Sequence, residues 1–142
     1  MIWGVLDTNV LVSGLGWRSG ASAKILDRAL AGQFVLVTSE PLLAELQRLL
    51  DYPKLSRVFR EPAGPVALIK EISIVVVTET QLSVLEDEFD NRVLEAAVTA
   101  RADVIVSGDR DILSLAPAYE ETRILRPAEF LTELLRQEHH QP

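Results

Sequence analysis

Four short apolar runs, rich in β-branched residues, punctuate the chain at Ile2–Leu6, Phe34–Val37, Ile72–Val77 and Val104–Val106, with a weaker fifth at Arg123–Leu125. The main runs are continuous rather than alternating, which is the pattern of strands covered on both faces. Helical spacing fills the intervals. Ile25, Leu26, Ala29 and Leu30 mark a helix over Ala23–Ala31, with Gly32 as its stop. Thr38-Ser39-Glu40-Pro41 opens a second helix running to Leu50, with proline in its first turn. Val93, Leu94, Ala97 and Val98 mark a third over Asp90–Arg101, and Pro127 opens a last one to Arg136. Shorter helices are expected at Lys54–Phe59, at Pro65–Glu71 and up to Leu115, while Ser13–Ser22 reads as a Gly/Ser/Trp loop. Strands alternating with helices predict an α/β fold around a mostly parallel sheet of four to five strands. A length of 142 residues suits one domain, assigned to 1–136. Residues 137–142 lack a pattern and read as a disordered tail.

In open α/β sheets ligands bind beyond the carboxyl ends of the strands, and acidic residues gather there. Asp7 ends the first run, and Asp109 and Asp111 follow the fourth. Asp7-Thr8-Asn9-Val10-Leu11 and Asp109-Arg110-Asp111-Ile112-Leu113 share the form Asp-x-Asn/Asp-aliphatic-Leu. Asp90 opens a helix. Glu45 lies within the second helix, about 40° around the axis from Leu49 and so at the edge of its leucine stripe. Each acid also has a plain structural reading: a turn for Asp7, helix caps for Asp90 and Asp109, a solvated edge for Glu45. Together in one cleft they repel one another and raise each other's pKa values, unless a cation offsets the charge. An all-oxygen donor set suits Mg²⁺ or Mn²⁺. Zinc is disfavoured, because the chain has no cysteine and its two histidines, His139 and His140, lie in the tail. Such an ion points to phosphoryl chemistry, with either one or two metals. Neither a Gly-rich phosphate loop nor a Ser-His-Asp arrangement is present.

The formal net charge of -7 argues at first against a nucleic-acid partner. Its distribution changes that reading. Residues 1–70 hold 8 basic and 6 acidic side chains, whereas residues 79–111 hold 3 basic and 9 acidic ones. Three of the acids assigned to the cleft lie in the second stretch. Lys54, Arg57 and Arg60 recur at helical spacing and are candidates for contacts with a nucleic-acid backbone, as are Arg18, Arg92 and Arg110 near the acid motifs. Trp3 is expected in the core and Trp17 in a loop. No apolar run approaches the ~20 residues of a membrane span, and no leader pattern precedes Asp7, so a soluble cytoplasmic protein is expected.

Four segments, in this order and spacing, resemble the PIN-domain family of ribonucleases. They are Val5-Leu6-Asp7-Thr8-Asn9-Val10-Leu11, Ser39-Glu40-Pro41-Leu42-Leu43-Ala44-Glu45-Leu46, Asp90-Asn91-Arg92-Val93-Leu94-Glu95-Ala96-Ala97 and the run from Ala102 to Leu113. With Tyr52-Pro53-Lys54-Leu55, the pattern is most similar to the VapC-like members regarded as toxins of toxin–antitoxin pairs. The resemblance spans residues 2–130. It implies a three-layer α/β/α sandwich and a Mg²⁺- or Mn²⁺-dependent endoribonuclease acting on single-stranded RNA. Carried over by position, Asp7, Glu45, Asp90 and Asp109 are the catalytic metal-site acids, and Asp111 is an additional one. Asn9 and Ser107 occupy supporting polar positions that would hydrogen-bond carboxylates or phosphate oxygens. A homodimer and a small antitoxin are the implied partners. The alternatives are a PIN nuclease of RNA maturation or flap cleavage, and a catalytically silent PIN binding module. A dehalogenase-like phosphatase fits poorly, because it needs Asp-x-Asp where this chain has Asp7-Thr8-Asn9.

Overall fold

The computed structural model describes residues 1–140. Its elements in chain order are β1 (Trp3–Leu6), α1 (Thr8–Gly16), α2 (Ala21–Leu30), β2 (Val35–Ser39), α3 (Glu40–Leu50), a 3₁₀ turn at Pro53–Leu55, α4 (Ala63–Ile72), β3 (Ser73–Val76), α5 (Glu88–Ala100), β4 (Val104–Val106), α6 (Arg110–Leu113), β5 (Ala118–Tyr119), β6 (Thr122–Leu125) and α7 (Pro127–His140). The sheet order is β3-β2-β1-β4-β6-β5. All pairings are parallel except β5 with β6. The sheet has six strands rather than four to five. The extra strand is only two residues long, too short to carry a hydrophobic period.

The continuous apolar runs are buried on both sides. Leu6, Leu36, Val104 and Val106 join a cluster with α1, α2, α4, α7 and Leu43, Leu46 and Leu50 of α3. Val5, Val37, Ile105 and Ile124 point the other way, onto Val93, Leu94, Ala96 and Ala97 of α5 and Ile112 of α6. Helices therefore cover both faces of the sheet, giving three layers. The chain moves outward from β1 through β2 to β3, then returns to place β4 on the other side of β1. That reversal opens a crevice between the carboxyl ends of β1 and β4.

Several local readings are corrected. The region expected to be a loop begins inside α1. Gly14 and Gly16 serve close packing there: a Cβ on Gly14 would sit 2.9 Å from the Ser22 carbonyl oxygen of α2, and one on Gly16 would sit 3.0 Å from the Phe59 ring. The expected Lys54–Phe59 helix is a single 3₁₀ turn followed by irregular turns, so Lys54, Arg57 and Arg60 are exposed but form no helical stripe. Trp3 is 36 % exposed on β1 rather than in the core. α7 continues to His140, so 137–140 is helix and not a disordered tail. An Arg28–Glu138 ion pair at 2.9 Å ties its last turns to α2. Residues 141 and 142 lie outside the described residues.

Candidate metal centre

The crevice is built from three junctions. At the first, the Asp7 backbone N–H continues the β1–β4 pairing by donating to the Val106 carbonyl at 2.9 Å. Asp7 precedes α1, but its carboxylate does not cap that helix. It is buried and accepts 2.7 Å from Ser107 Oγ, whose oxygen in turn accepts from the Asp109 backbone N–H at 2.9 Å. Ser107 thus ties the end of β4 to the acid that ends β1. Thr8 Oγ1 lies 3.5 Å from the other Asp7 oxygen.

At the second junction, β2 runs directly into α3 through the N-cap Ser39. That places Glu45 in the second turn of the helix. Its carboxylate is buried, so the solvated-edge reading does not hold. The third junction is the start of α5. Asp87, and not Asp90, is the N-cap: its Oδ1 accepts from the backbone N–H groups of Phe89 and Asp90 at 2.8 and 3.3 Å. Asp90 is thereby released from capping and turned inward, with Oδ2 buried and without a hydrogen-bond partner. Asp109 does cap α6, its Oδ1 accepting 2.7 Å from the Asp111 N–H.

Asp90, Asp109 and Asp111 each offer a carboxylate oxygen, and these atoms lie within 4.8 Å of one another. The electrostatics extends the group to Asp7 and Glu45. Burial raises the Asp7 carboxyl above its ordinary value, and the Asp109 charge adds to this against the Ser107 and Thr8 hydrogen bonds. Burial also pushes Glu45 up to about 7, with the Asp7 charge adding and the Arg48 guanidinium opposing. Asp90 is pushed up to about 7 by burial first, then by the charges of Asp109, Asp87, Asp7 and Asp111.

The five acids of the sequence motifs are therefore neighbours, although they come from segments up to 104 positions apart. The polar and basic candidates divide differently. Ser107 is buried against Asp7, whereas Asn9 is exposed and has no side-chain hydrogen bond among the described residues; Thr8 stands beside Asp7 instead. Arg92 pairs with Glu95 at 3.1 Å. Arg18 and Arg110 are exposed, and among the described residues neither forms an ion pair with the acids. The basic side chain that does approach one of the five acids is Arg48, one turn along α3 from Glu45. Its i,i+3 spacing from Glu45 was the available signal.

Asn91 and Glu95 were missed too. Asn91 Oδ1 accepts from the Val84 and Leu85 N–H groups at 3.0 and 2.8 Å, and its Nδ2 donates to the Leu85 carbonyl at 2.7 Å. Glu95 Oε2 accepts from the Leu82 N–H at 2.8 Å. These bonds clasp an irregular segment to α5 immediately before Asp87 and Asp90. Asn91→Ala is expected to destabilise the protein by about 2 kcal/mol, measurable by urea denaturation. It should also raise amide exchange over 82–87 selectively.

The family model for the PIN domain matches residues 4–111. The chain belongs to the PIN-domain family. The matched stretch includes all five acids and covers about three-quarters of the 142 residues. This PIN domain is 31% identical over 114 residues to an uncharacterized protein of Methanocaldococcus jannaschii, MJ1680, covering 78% of this chain and 73% of that one. Its fold is similar to a chain in the crystal structure of VapBC2 from Rickettsia felis bound to a DNA fragment from its promoter. The TM-score is 0.61 at 13% identity, over 88% of this chain and 98% of that one.

Proposed function

We propose that the acid cluster is the active centre of a Mg²⁺- or Mn²⁺-dependent endoribonuclease for single-stranded RNA, and that the chain is the toxin of a toxin–antitoxin pair. The observation that carries this is the buried, unpartnered Oδ2 of Asp90, a side chain with a carboxylate oxygen within 4.8 Å of those of Asp109 and Asp111. A buried carboxylate oxygen with no donor is costly, and a cation among these acids would offset that cost. The all-oxygen donor set fits a hard divalent ion. Asp90, Asp109 and Asp111 would hold it, with Asp7 and Glu45 on its flank. Such an ion, when bound, stabilises charge on a phosphoryl group and makes water more acidic.

The chain's own residues supply the rest. Ser107 holds the Asp7 carboxylate in one orientation, and Asp87 keeps the α5 terminus capped so that Asp90 stays free. Glu45, on a separate helix, orients the attacking water. In-line attack at phosphorus would leave a 5′-phosphate and a 3′-hydroxyl. The toxin assignment draws support from the fold shared with the VapBC2 chain. A small antitoxin with a basic segment complements the surplus acid of the cleft, and a homodimer in the cytoplasm completes the proposal. Among the described residues no helix is long and apolar enough to cross a membrane.

The test incubates purified protein with end-labelled single-stranded RNA in Mn²⁺ or in EDTA, beside Asp7→Asn. Cleavage is expected with Mn²⁺, none with EDTA, and roughly 100-fold or more slowing in the variant. Equal cleavage by Asp7→Asn would overturn the assignment.

A further inference from the structure

Beside the acids stands a group that the metal chemistry leaves unused. The Arg48 guanidinium lies near two aromatic rings, 5.0 Å from the Phe89 centroid and 5.7 Å from that of Tyr52. Nη1 donates to the Tyr52 hydroxyl at 2.8 Å, and Nη2 stands 3.6 Å from Glu45 Oε1, beyond hydrogen-bonding range. Phe89 immediately precedes Asp90 in α5, and Tyr52 lies just past the end of α3. All three are open to solvent: the Arg48 side chain is 47 % exposed and Phe89 and Tyr52 are 41 % exposed.

At 3.6 Å the Arg48 charge offsets part of the charge of the buried Glu45 carboxylate but makes no hydrogen bond to it. The guanidinium therefore holds a positive charge at the lip of a strongly acidic crevice with most of its donors unspent. Beside it are two half-exposed π-surfaces. Single-stranded nucleic acid is bound by this combination, a cation for the phosphate and an aromatic face for the base. Arg48 is also the basic side chain that contacts the acid cluster among the described residues. It offers a polyanionic strand a positive contact beside the acids.

We infer that Arg48, Phe89 and Tyr52 form a nucleotide-binding step next to the acid cluster, in which Arg48 takes a phosphate adjoining the scissile one and the Phe89–Tyr52 surface stacks its base. The inference rests on the ribonuclease reading and names how its substrate is seated. Phe89 and Tyr52 here are positioning residues that act on the strand and not on the reacting phosphorus.

The experiment measures fluorescence anisotropy of a labelled mixed-sequence RNA of about 12 nucleotides, a length within the usual site sizes, and of an abasic strand of equal length, with Ca²⁺ replacing the catalytic ion. Phe89→Ala is expected to raise Kd about tenfold for the RNA while leaving the abasic strand unchanged, and Phe89→Trp should restore binding. Arg48→Gln should weaken both strands and reduce the slope of log Kd against log salt by about 0.7. In cleavage assays with Mn²⁺ both changes should appear in KM and not in kcat. Wild-type cleavage with unaltered binding in Arg48→Gln and Phe89→Ala overturns this step and leaves the ribonuclease reading standing. Equal weakening of both strands by Phe89→Ala overturns the stacking role. A wild-type protein that neither binds nor cleaves RNA overturns both readings. Variants that bind RNA normally but fail to hold a co-expressed basic peptide overturn it in favour of a protein-binding lip.

Discussion

The Asp90→Asn substitution is expected to extinguish cleavage while making the metal-free protein more stable. It keeps the side chain's size and removes a charge that sits buried among Asp109, Asp87, Asp7 and Asp111. The sign follows from linkage. The folded carboxyl is raised to about 7, against about 3.9 in an unfolded chain, so between these values the folded state binds the extra proton. Stability is therefore greatest at low pH as far as this group is concerned, and falls as pH rises from about 4 to about 7. The Asp90→Asn variant, with no proton to lose at that side chain, does not incur this fall. At pH 8 in EDTA its Tm should exceed that of the wild type by about 3 °C or more, and the difference should close near pH 4. Cleavage, in contrast, should drop roughly a thousandfold. A Tm at pH 8 equal to or below that of the wild type would refute the picture of an acid held against its own electrostatics.

Divalent-ion binding should show the same tension from the other side. Mn²⁺ at roughly a hundredfold excess over its Kd adds about 2.7 kcal/mol to the stability of a protein that binds it only when folded. A rise in Tm with Mn²⁺ is expected at pH 8, and it should be largely lost in Asp90→Asn. The ion competes with protons, because burial and neighbouring acids push the carboxyls of Glu45 and Asp90 up to about 7. Calorimetric titration at pH 6 in buffers of different ionisation enthalpy should thus report release of about one to two protons per ion bound. Affinity should strengthen as pH rises to 8 and then level off. Binding that is independent of pH, with no proton released, would contradict the placement of these two carboxyls beside the ion.

Much of this architecture was legible in the sequence, because a buried parallel strand and a leucine-striped helix each impose a pattern that few alternatives satisfy. The motif acids were legible for a related reason: Asp7, Asp109 and Asp111 follow such strands, and Glu45 borders such a stripe. What escaped had no period to read. α1 is disguised by Gly14 and Gly16, which weaken helix propensity but leave room for the close approach of α2 and Phe59. β5 is two residues long. Asp90 reads in the sequence as the cap of α5, whereas the fold gives that role to Asp87 and turns Asp90 inward. Arg48 shows the limit of helical-wheel reasoning. Its backbone position faces away from the core, yet a long side chain carries its guanidinium back to Glu45 and Phe89. Lys54, Arg57 and Arg60 show the converse, a helical spacing on a segment that forms no helix beyond one 3₁₀ turn.

The clasp of Asn91 and Glu95 on the segment at Leu82–Leu85 has a consequence for how this chain tolerates change in length. Residues 77–81 carry no regular structure, and Val77, Glu79, Thr80 and Gln81 are exposed. Whatever happens to the backbone there is absorbed before the clasp, which resets the path of the chain just ahead of Asp87 and Asp90. An inserted peptide tag or reporter at Thr80 therefore stays mechanically isolated from the third acid, although that acid lies only ten residues downstream. The same insertion after Asp87 would move it directly.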